Sequence, residues 1–304
     1  MYDLVVIGSP SFDRFVRGSA ADNGRSLSGP AAYSARSAVQ LGIQNMAIVG
    51  SLSEQYRDQF AAQLDELGIP EYYPIGSPET GGFEIEYNGG SEASVVSVLG
   101  VPKSIGIRDI PDEFLSARVI LLSPLLQEIG AELIEWICNS SDAMILLDPQ
   151  LRDAGVDMKL RDIPVLHVIE KTRSFLDFIK PNELEASLIT GETDMYLAAE
   201  LLAESLAESC IITMGKNGSL IYDGHSFVVV PTYQTQPKDT LEAGATYLGG
   251  FASGLLEGRN IAECGALGAA AASQKIENSG LGFSLTRSVV EKRAAQIAHG
   301  ISIK

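Results

Sequence analysis

Asp239-Thr240-Leu241-Glu242-Ala243-Gly244-Ala245-Thr246-Tyr247 runs without a break into the apolar stretch Leu248 to Leu256. Small residues at the start of a helix let backbone N–H groups come close to an anion, and the helix dipole favours negative charge there. The same small residues also suit a tightly packed loop-to-helix joint, and local chemistry leaves the two readings level.

Outward from this segment the chain alternates short apolar runs with amphipathic ones. Val5-Val6-Ile7 ends at Gly8-Ser9-Pro10, Met144 to Leu147 ends at Asp148-Pro149-Gln150, and Phe175 to Ile179 ends at Lys180-Pro181-Asn182. Met46 to Val49, Val119 to Leu122 and Ile211 to Met214 read as further strands. Helices are expected over 31–41, 57–67, 128–138, 183–189, 195–206, 243–257, 260–277 and 286–297, several with glycine or proline at their ends. Ser219 to Tyr222, the Asp223-Gly224 turn and Phe227 to Val230 predict a hairpin. Such alternation implies a mostly parallel sheet with helices on both faces, whose ligands bind beyond the carboxyl ends of the strands. Those ends are Gly8, Asp148, Asn182 and Gly215. Thr80 to Leu99 departs from the rhythm: Phe83 to Tyr87 alternates, Asn88-Gly89-Gly90 signals a turn, and Ala93 to Leu99 is β-branched and serine-rich. It reads as a ribbon standing apart from the body, either an edge or a lid.

Composition narrows the function classes. Of 304 residues, 45% are hydrophobic and 20% charged, a globular balance in which disorder is not the expectation. Thirty-nine acidic against 22 basic residues give a net charge of -17, which repels nucleic-acid phosphate and anionic lipid at long range. No apolar run approaches a membrane span, and the N-terminal MYDLVVIGSP reads as a first strand instead of a signal peptide. Cys138, Cys210 and Cys264 are odd in number, lack a CxxC spacing and lie in apolar or helical stretches, so they read as free thiols in a reducing, cytoplasmic setting. His167, His225 and His299 are scattered and form no HExxH, and no P-loop, GxGxxG after the first strand or GxSxG elbow occurs.

Taken with its neighbours in order, the opening segment resembles the C-terminal signature of the ribokinase/PfkB sugar-kinase family, DTxGAGDxF followed by a helix with GLxxG; here the second part is Gly249-Gly250-Phe251-Ala252-Ser253-Gly254-Leu255-Leu256-Glu257-Gly258. Ser28-Gly29-Pro30-Ala31-Ala32-Tyr33 through Leu41-Gly42 is similar to the family's first signature, and Gly8 to Asp13 to its strand-end GxxxxD. Asp148-Pro149-Gln150, Lys180-Pro181-Asn182-Glu183-Leu184-Glu185 and Thr213-Met214-Gly215-Lys216-Asn217-Gly218 resemble its DP(N/Q), KPNxxE and TxGxxG segments, and Ser284 to Arg287 its adenine-side tail. The resemblance implies one ribokinase-like α/β domain over 1–304: a doubly wound, mostly parallel central sheet with helices on both faces, and a small β lid from about 11–30 and 80–100. It implies ATP-dependent phosphoryl transfer, with Mg²⁺, to a hydroxyl of a sugar, polyol or nucleoside. By position, Asp13, Gly29, Tyr33 and Gln150 belong to the substrate side. Asn182 and Glu185 organise phosphates and Mg²⁺ through water, without a direct protein–metal bond, and Thr213, Gly215 and Gly218 contact the nucleotide. Ala243 and Gly244 offer the backbone anion hole, and Asp239 lies near the loop where many members hold a monovalent cation. Lids in some relatives pair two copies; the Phe83 to Val98 ribbon fits such a homodimer and fits equally an edge shielded by polar residues.

The pattern breaks at the chemistry. The family's general base, the last residue of GAGD, is Ala245 here, and a methyl group accepts no proton. Losing a base of this kind costs about 10²–10⁴-fold. Glu242 stands where the family has a small residue, Ser28 replaces a glycine, and Tyr33 replaces the usual asparagine and is expected to narrow the substrate pocket. Two readings follow: a kinase scaffold whose activity is lost or strongly weakened, or an active carbohydrate, inositol or nucleoside kinase with Glu242 as a substitute base.

Overall fold

Leu4 and Val6 pack into one hydrophobic cluster and Val5 and Ile7 into another, so a four-residue strand already sets a two-sided architecture. The computed structural model describes residues 1–17, 20–21, 24–87, 90–126, 128–151 and 176–304. The expected turn at Asn88-Gly89, the strand start at Phe175 and His167 lie outside them.

The central sheet holds ten strands among the described residues. From one edge they run β6 (Tyr72–Gly76), β5 (Met46–Leu52), β1 (Leu4–Ile7), β9 (Val119–Leu122), β10 (Met144–Leu147), β11 (Leu176–Ile179) and β12 (Ala207–Thr213), all parallel. The antiparallel strands β13 (Ser219–Tyr222), β14 (Phe227–Val230) and β15 (Ser302–Ile303) finish the other edge. One face is covered by α1 (Pro30–Gln40), α2 (Arg57–Leu67), α6 (Ala243–Leu256), α7 (Ile261–Lys275) and α8 (Arg287–Ala298). The other is covered by α3 (Ala131–Ser140), α4 (Glu183–Thr190) and α5 (Met195–Ser205). This is the doubly wound α/β arrangement that the alternation predicts.

A second, five-stranded sheet comprises β2 (Ser11–Arg17), β3 (Ala20–Ala21), β4 (Ser26–Ser28), β7 (Gly82–Tyr87) and β8 (Ala93–Gly100). Phe83, Ile85 and Tyr87 on β7 form a small apolar cluster with Leu125, and Leu241 packs against it. Thus the second sheet is seated on the loop that precedes α6.

Several elements differ from the sequence reading: β12 starts at Ala207 instead of Ile211, and β15 is unexpected. The edge strand β6 has only Ile75 buried and contains Pro74, so it carries no apolar signal. The helix expected from Glu128 starts at Ala131, because the buried Glu128 carboxylate instead accepts the amides of Ser9 (3.0 Å), Leu125 (2.8 Å) and Leu126 (3.0 Å). Glu128 thereby ties the loop after β1 to the loop after β9.

α6 is buried nearly all round, between α1 and α7. Glycine permits this: a Cβ on Gly249 would lie 2.3 Å from the Ser34 carbonyl oxygen, and one on Gly250 3.0 Å from Gly268 Cα. Gly249→Ala gains about 1 kcal/mol of helix propensity, but forcing α1 from α6 costs about 1–3 kcal/mol or more. Net destabilisation is expected in thermal unfolding, whereas Gly76→Ala, with no atom within 4 Å of its Cβ, serves as the unaffected control.

Candidate active site

The carboxyl ends of β10, β11 and β12 and the start of α6 surround a cleft of about 850 Å³. Glu242, Ala243, Gly244 and Ala245 line it together with Gln150, Lys180, Asn182, Glu185, Thr213, Gly215 and Gly218. Ten of the sequence-predicted positions are therefore gathered at one place or its rim: all of these except Lys180, which the sequence reading left without a role.

At the α6 start, Glu242 takes a left-handed backbone conformation (φ 57°) as the N-cap, and no side chain caps the first turn. The first-turn amides of Gly244 and Ala245 have no intrahelical acceptor, so they are available to an anion in the cleft. Lys180 supplies positive charge at the same spot. A Cβ placed on Gly244 would be 3.2 Å from Lys180 Nζ, so glycine gives the ammonium room to approach the helix start closely. The same ammonium forms an ion pair with Asp148 Oδ1 at 3.2 Å, and both side chains are almost wholly buried. Gln150, itself left-handed (φ 47°), donates its amide to Asp148 Oδ2 at 3.0 Å and so lies on this side of the cleft.

Asn182 and Glu185 form a reciprocal capping box at the start of α4. The Asn182 side chain accepts Glu185 N–H at 2.9 Å, and Glu185 accepts Asn182 N–H at 2.8 Å. The second Glu185 oxygen accepts Leu151 N–H at 2.8 Å. Burial raises the Glu185 carboxyl above its ordinary value and nearby Asp148 adds to this, while Lys180 and the two amides oppose it. Thr213 pairs with Asn182 across the strand ends, and Gly215 and Gly218 adopt positive φ in the turn that follows.

Asp13, Gly29, Tyr33 and Asp239 do not line this cleft. Asp13 is buried; its Oδ1 accepts Phe83 N–H at 2.8 Å and Ser11 Oγ donates to its Oδ2 at 3.1 Å. Gly29 (φ 96°) packs directly on Ser11. Tyr33 is fully buried and stacks on Phe283 with ring centroids 5.7 Å apart. Ser34 Oγ, the next residue along α1, donates to the Ala245 carbonyl at 2.9 Å, so the α1 start and the α6 start are rigidly joined. Thr240 ties the loop before α6 to the second sheet: its N–H and its hydroxyl both donate to the Ser91 carbonyl of the β7–β8 ribbon, at 3.0 and 3.1 Å. Ser91 and Glu92 consequently line the cleft beside the helix start. Among the described residues no three metal-ligating side chains gather, and no helix is long and apolar enough to cross a membrane.

Known proteins agree with this architecture. A cytidine kinase of Thermococcus kodakarensis is 27% identical over 285 residues, covering 92% of this chain and 98% of that protein. A ribokinase of Bacillus subtilis is 27% identical over 276 residues, covering 86% and 88%. The crystal structure of ribokinase from Thermotoga maritima matches the fold with a TM-score of 0.78 at 22% identity, over 97% of this chain and 100% of that one. The model of the pfkB family carbohydrate kinases matches residues 3–287, and the chain belongs to that family.

Proposed function

We propose that the cleft binds ATP, that a small hydroxyl-bearing acceptor binds between the second sheet and the body, and that phosphoryl transfer between them is lost or strongly slowed. The observation that carries this reading is the α6 start. Uncapped amides and the Lys180 ammonium converge on one point, a fit for phosphate, yet the side chain there is the Ala245 methyl group. Transfer of a phosphoryl group rests mainly on positioning and charge stabilisation, which these groups supply. Deprotonating the acceptor hydroxyl needs a base, which Ala245 does not supply.

In this reading Gly244, Ala245 and Lys180 hold the transferring phosphate, Thr213, Gly215 and Gly218 border the nucleotide, and Asn182 and Glu185 shape the floor through their capping box. Asp13 and Gly29 lie on the acceptor side, and the five-stranded sheet closes over it. ATP would bring Mg²⁺ on its phosphates, where the ion neutralises charge. Glu185 has both oxygens engaged by amides, so it fits a water-mediated role, and Glu242 is the carboxylate next to the first-turn amides. Relatives named cytidine kinase and ribokinase favour a nucleoside or sugar among acceptors.

A second reading rests on Glu242, which shares the cleft wall with Ala245: a carboxylate base displaced by one helical turn would keep the enzyme active. A thermal-shift panel of nucleotides, sugars, polyols and nucleosides, followed by ADP-release assays, separates the two. Under the first reading ATP with Mg²⁺ raises the unfolding midpoint and ADP release stays at background. Turnover that Glu242→Gln abolishes establishes the second, and stabilisation by neither nucleotide nor acceptor removes both.

A further inference from the structure

Lys275 ends α7 and is fully buried, although an ammonium is costly to take out of water unless oxygens replace its hydration. Its Nζ donates to the main-chain carbonyls of Asp239 (3.0 Å) and Leu241, lies 3.6 Å from Asp239 Oδ1, and sits 5.3 Å from the centroid of the Tyr33 ring. Two carbonyl oxygens, one carboxylate oxygen and an aromatic face make the kind of cage that a bare monovalent cation takes. The remaining capacity of Asp239 is used as well: Oδ1 accepts Leu241 N–H and Oδ2 accepts Gly280 N–H, both at 3.0 Å. The loop is also held by Lys238 and Asp239 N–H donating to the Ile276 carbonyl. These residues do not fit an added monovalent ion at Asp239, because a cation from the chain itself already takes the oxygens.

We infer that Lys275 is a built-in cation: its tethered ammonium does in the 239–242 loop what a free K⁺ or Na⁺ would do, and renders that loop indifferent to both ions. The position gives this a consequence for the site. Asp239 precedes the α6 start by a few residues, and its carboxylate would repel phosphate there if left uncompensated. Lys275 cancels that charge and pins the two carbonyls, which fixes the turn that delivers Glu242 and the first amides of α6. It acts through the loop as a positioning residue, 36 residues away in sequence from its carboxylate partner.

The test reads unfolding of the ligand-free protein, so it is independent of whether the cleft takes a nucleotide. At constant ionic strength the unaltered protein should melt at the same temperature in potassium, sodium and choline chloride. Lys275→Ala should melt lower in choline chloride, by on the order of 5–10 °C. Potassium or methylammonium chloride should restore part of that loss, since either ion enters the space vacated. Lys275→Met fills the space with an apolar chain and should show no such recovery. If Lys275→Ala fails to fold in choline chloride, refolding it in potassium chloride counts as the same recovery. Stabilisation of the unaltered protein by potassium over choline would overturn the inference. So would a Lys275→Ala protein whose melting, or failure to fold, is the same in all salts, which would leave Lys275 a packing residue.

Discussion

Ala245→Asp is expected to raise ADP release by about 10²–10⁴-fold in the presence of ATP, Mg²⁺ and an acceptor that stabilises the unaltered protein. Position 245 is the third residue of α6, buried at the cleft wall, and the helix dipole favours a carboxylate there. The Ala245 main chain is independently anchored, because its carbonyl accepts the Ser34 hydroxyl. The new side chain enters the wall that carries the first-turn amides of α6; if those amides hold phosphate as proposed, the base arrives beside the acceptor hydroxyl. Affinity for ATP should change little, which distinguishes a restored chemical step from tighter binding. A variant that still shows the nucleotide-induced thermal shift, yet releases no more ADP than the unaltered chain, rejects Ala245 as the cause of the activity loss proposed above. Carrying Glu242→Gln in the same background tells whether a second carboxylate contributes.

Lys180→Met has the largest expected effect on stability and acts on binding too. The Lys180–Asp148 pair is 3% and 0% exposed, so solvent screening is slight. Removing one partner leaves a buried carboxylate uncompensated, at a cost of about 3–5 kcal/mol. Glu185 also loses the cation that favours its ionised form. Pairing Lys180→Met with Asp148→Asn removes the orphaned charge and should recover much of the unfolding midpoint. Binding should not recover, because the ammonium beside Gly244 is gone. A charge-assisted hydrogen bond to phosphate is worth roughly 1.5–3 kcal/mol, or about 10–150-fold in affinity for ATP or pyrophosphate. A double variant that binds pyrophosphate as tightly as the unaltered protein would show that Lys180 serves the fold alone.

The chain's own letters determined most strands and helices and the gathering of most candidate site residues. Period-two and helical periodicity, and the glycines and prolines at element ends, are local properties that survive tertiary packing. For that reason β9, β10, β13, β14 and α2 begin and end at the residues expected. The strand ends after β10, β11 and β12 then met the Thr240 to Tyr247 segment in one cleft, since parallel α/β sheets open at their carboxyl edge. Tertiary structure alone decided where the buried charges go. Lys180 faces Gly244 across 64 positions, Lys275 reaches Asp239 through the packing of α7 on α6, and Glu128 binds an amide 119 residues away. A lysine or glutamate in sequence looks the same whether it is solvated or caged by oxygens. Only the folded backbone brings together the carbonyls, amides and opposite charges that replace its water.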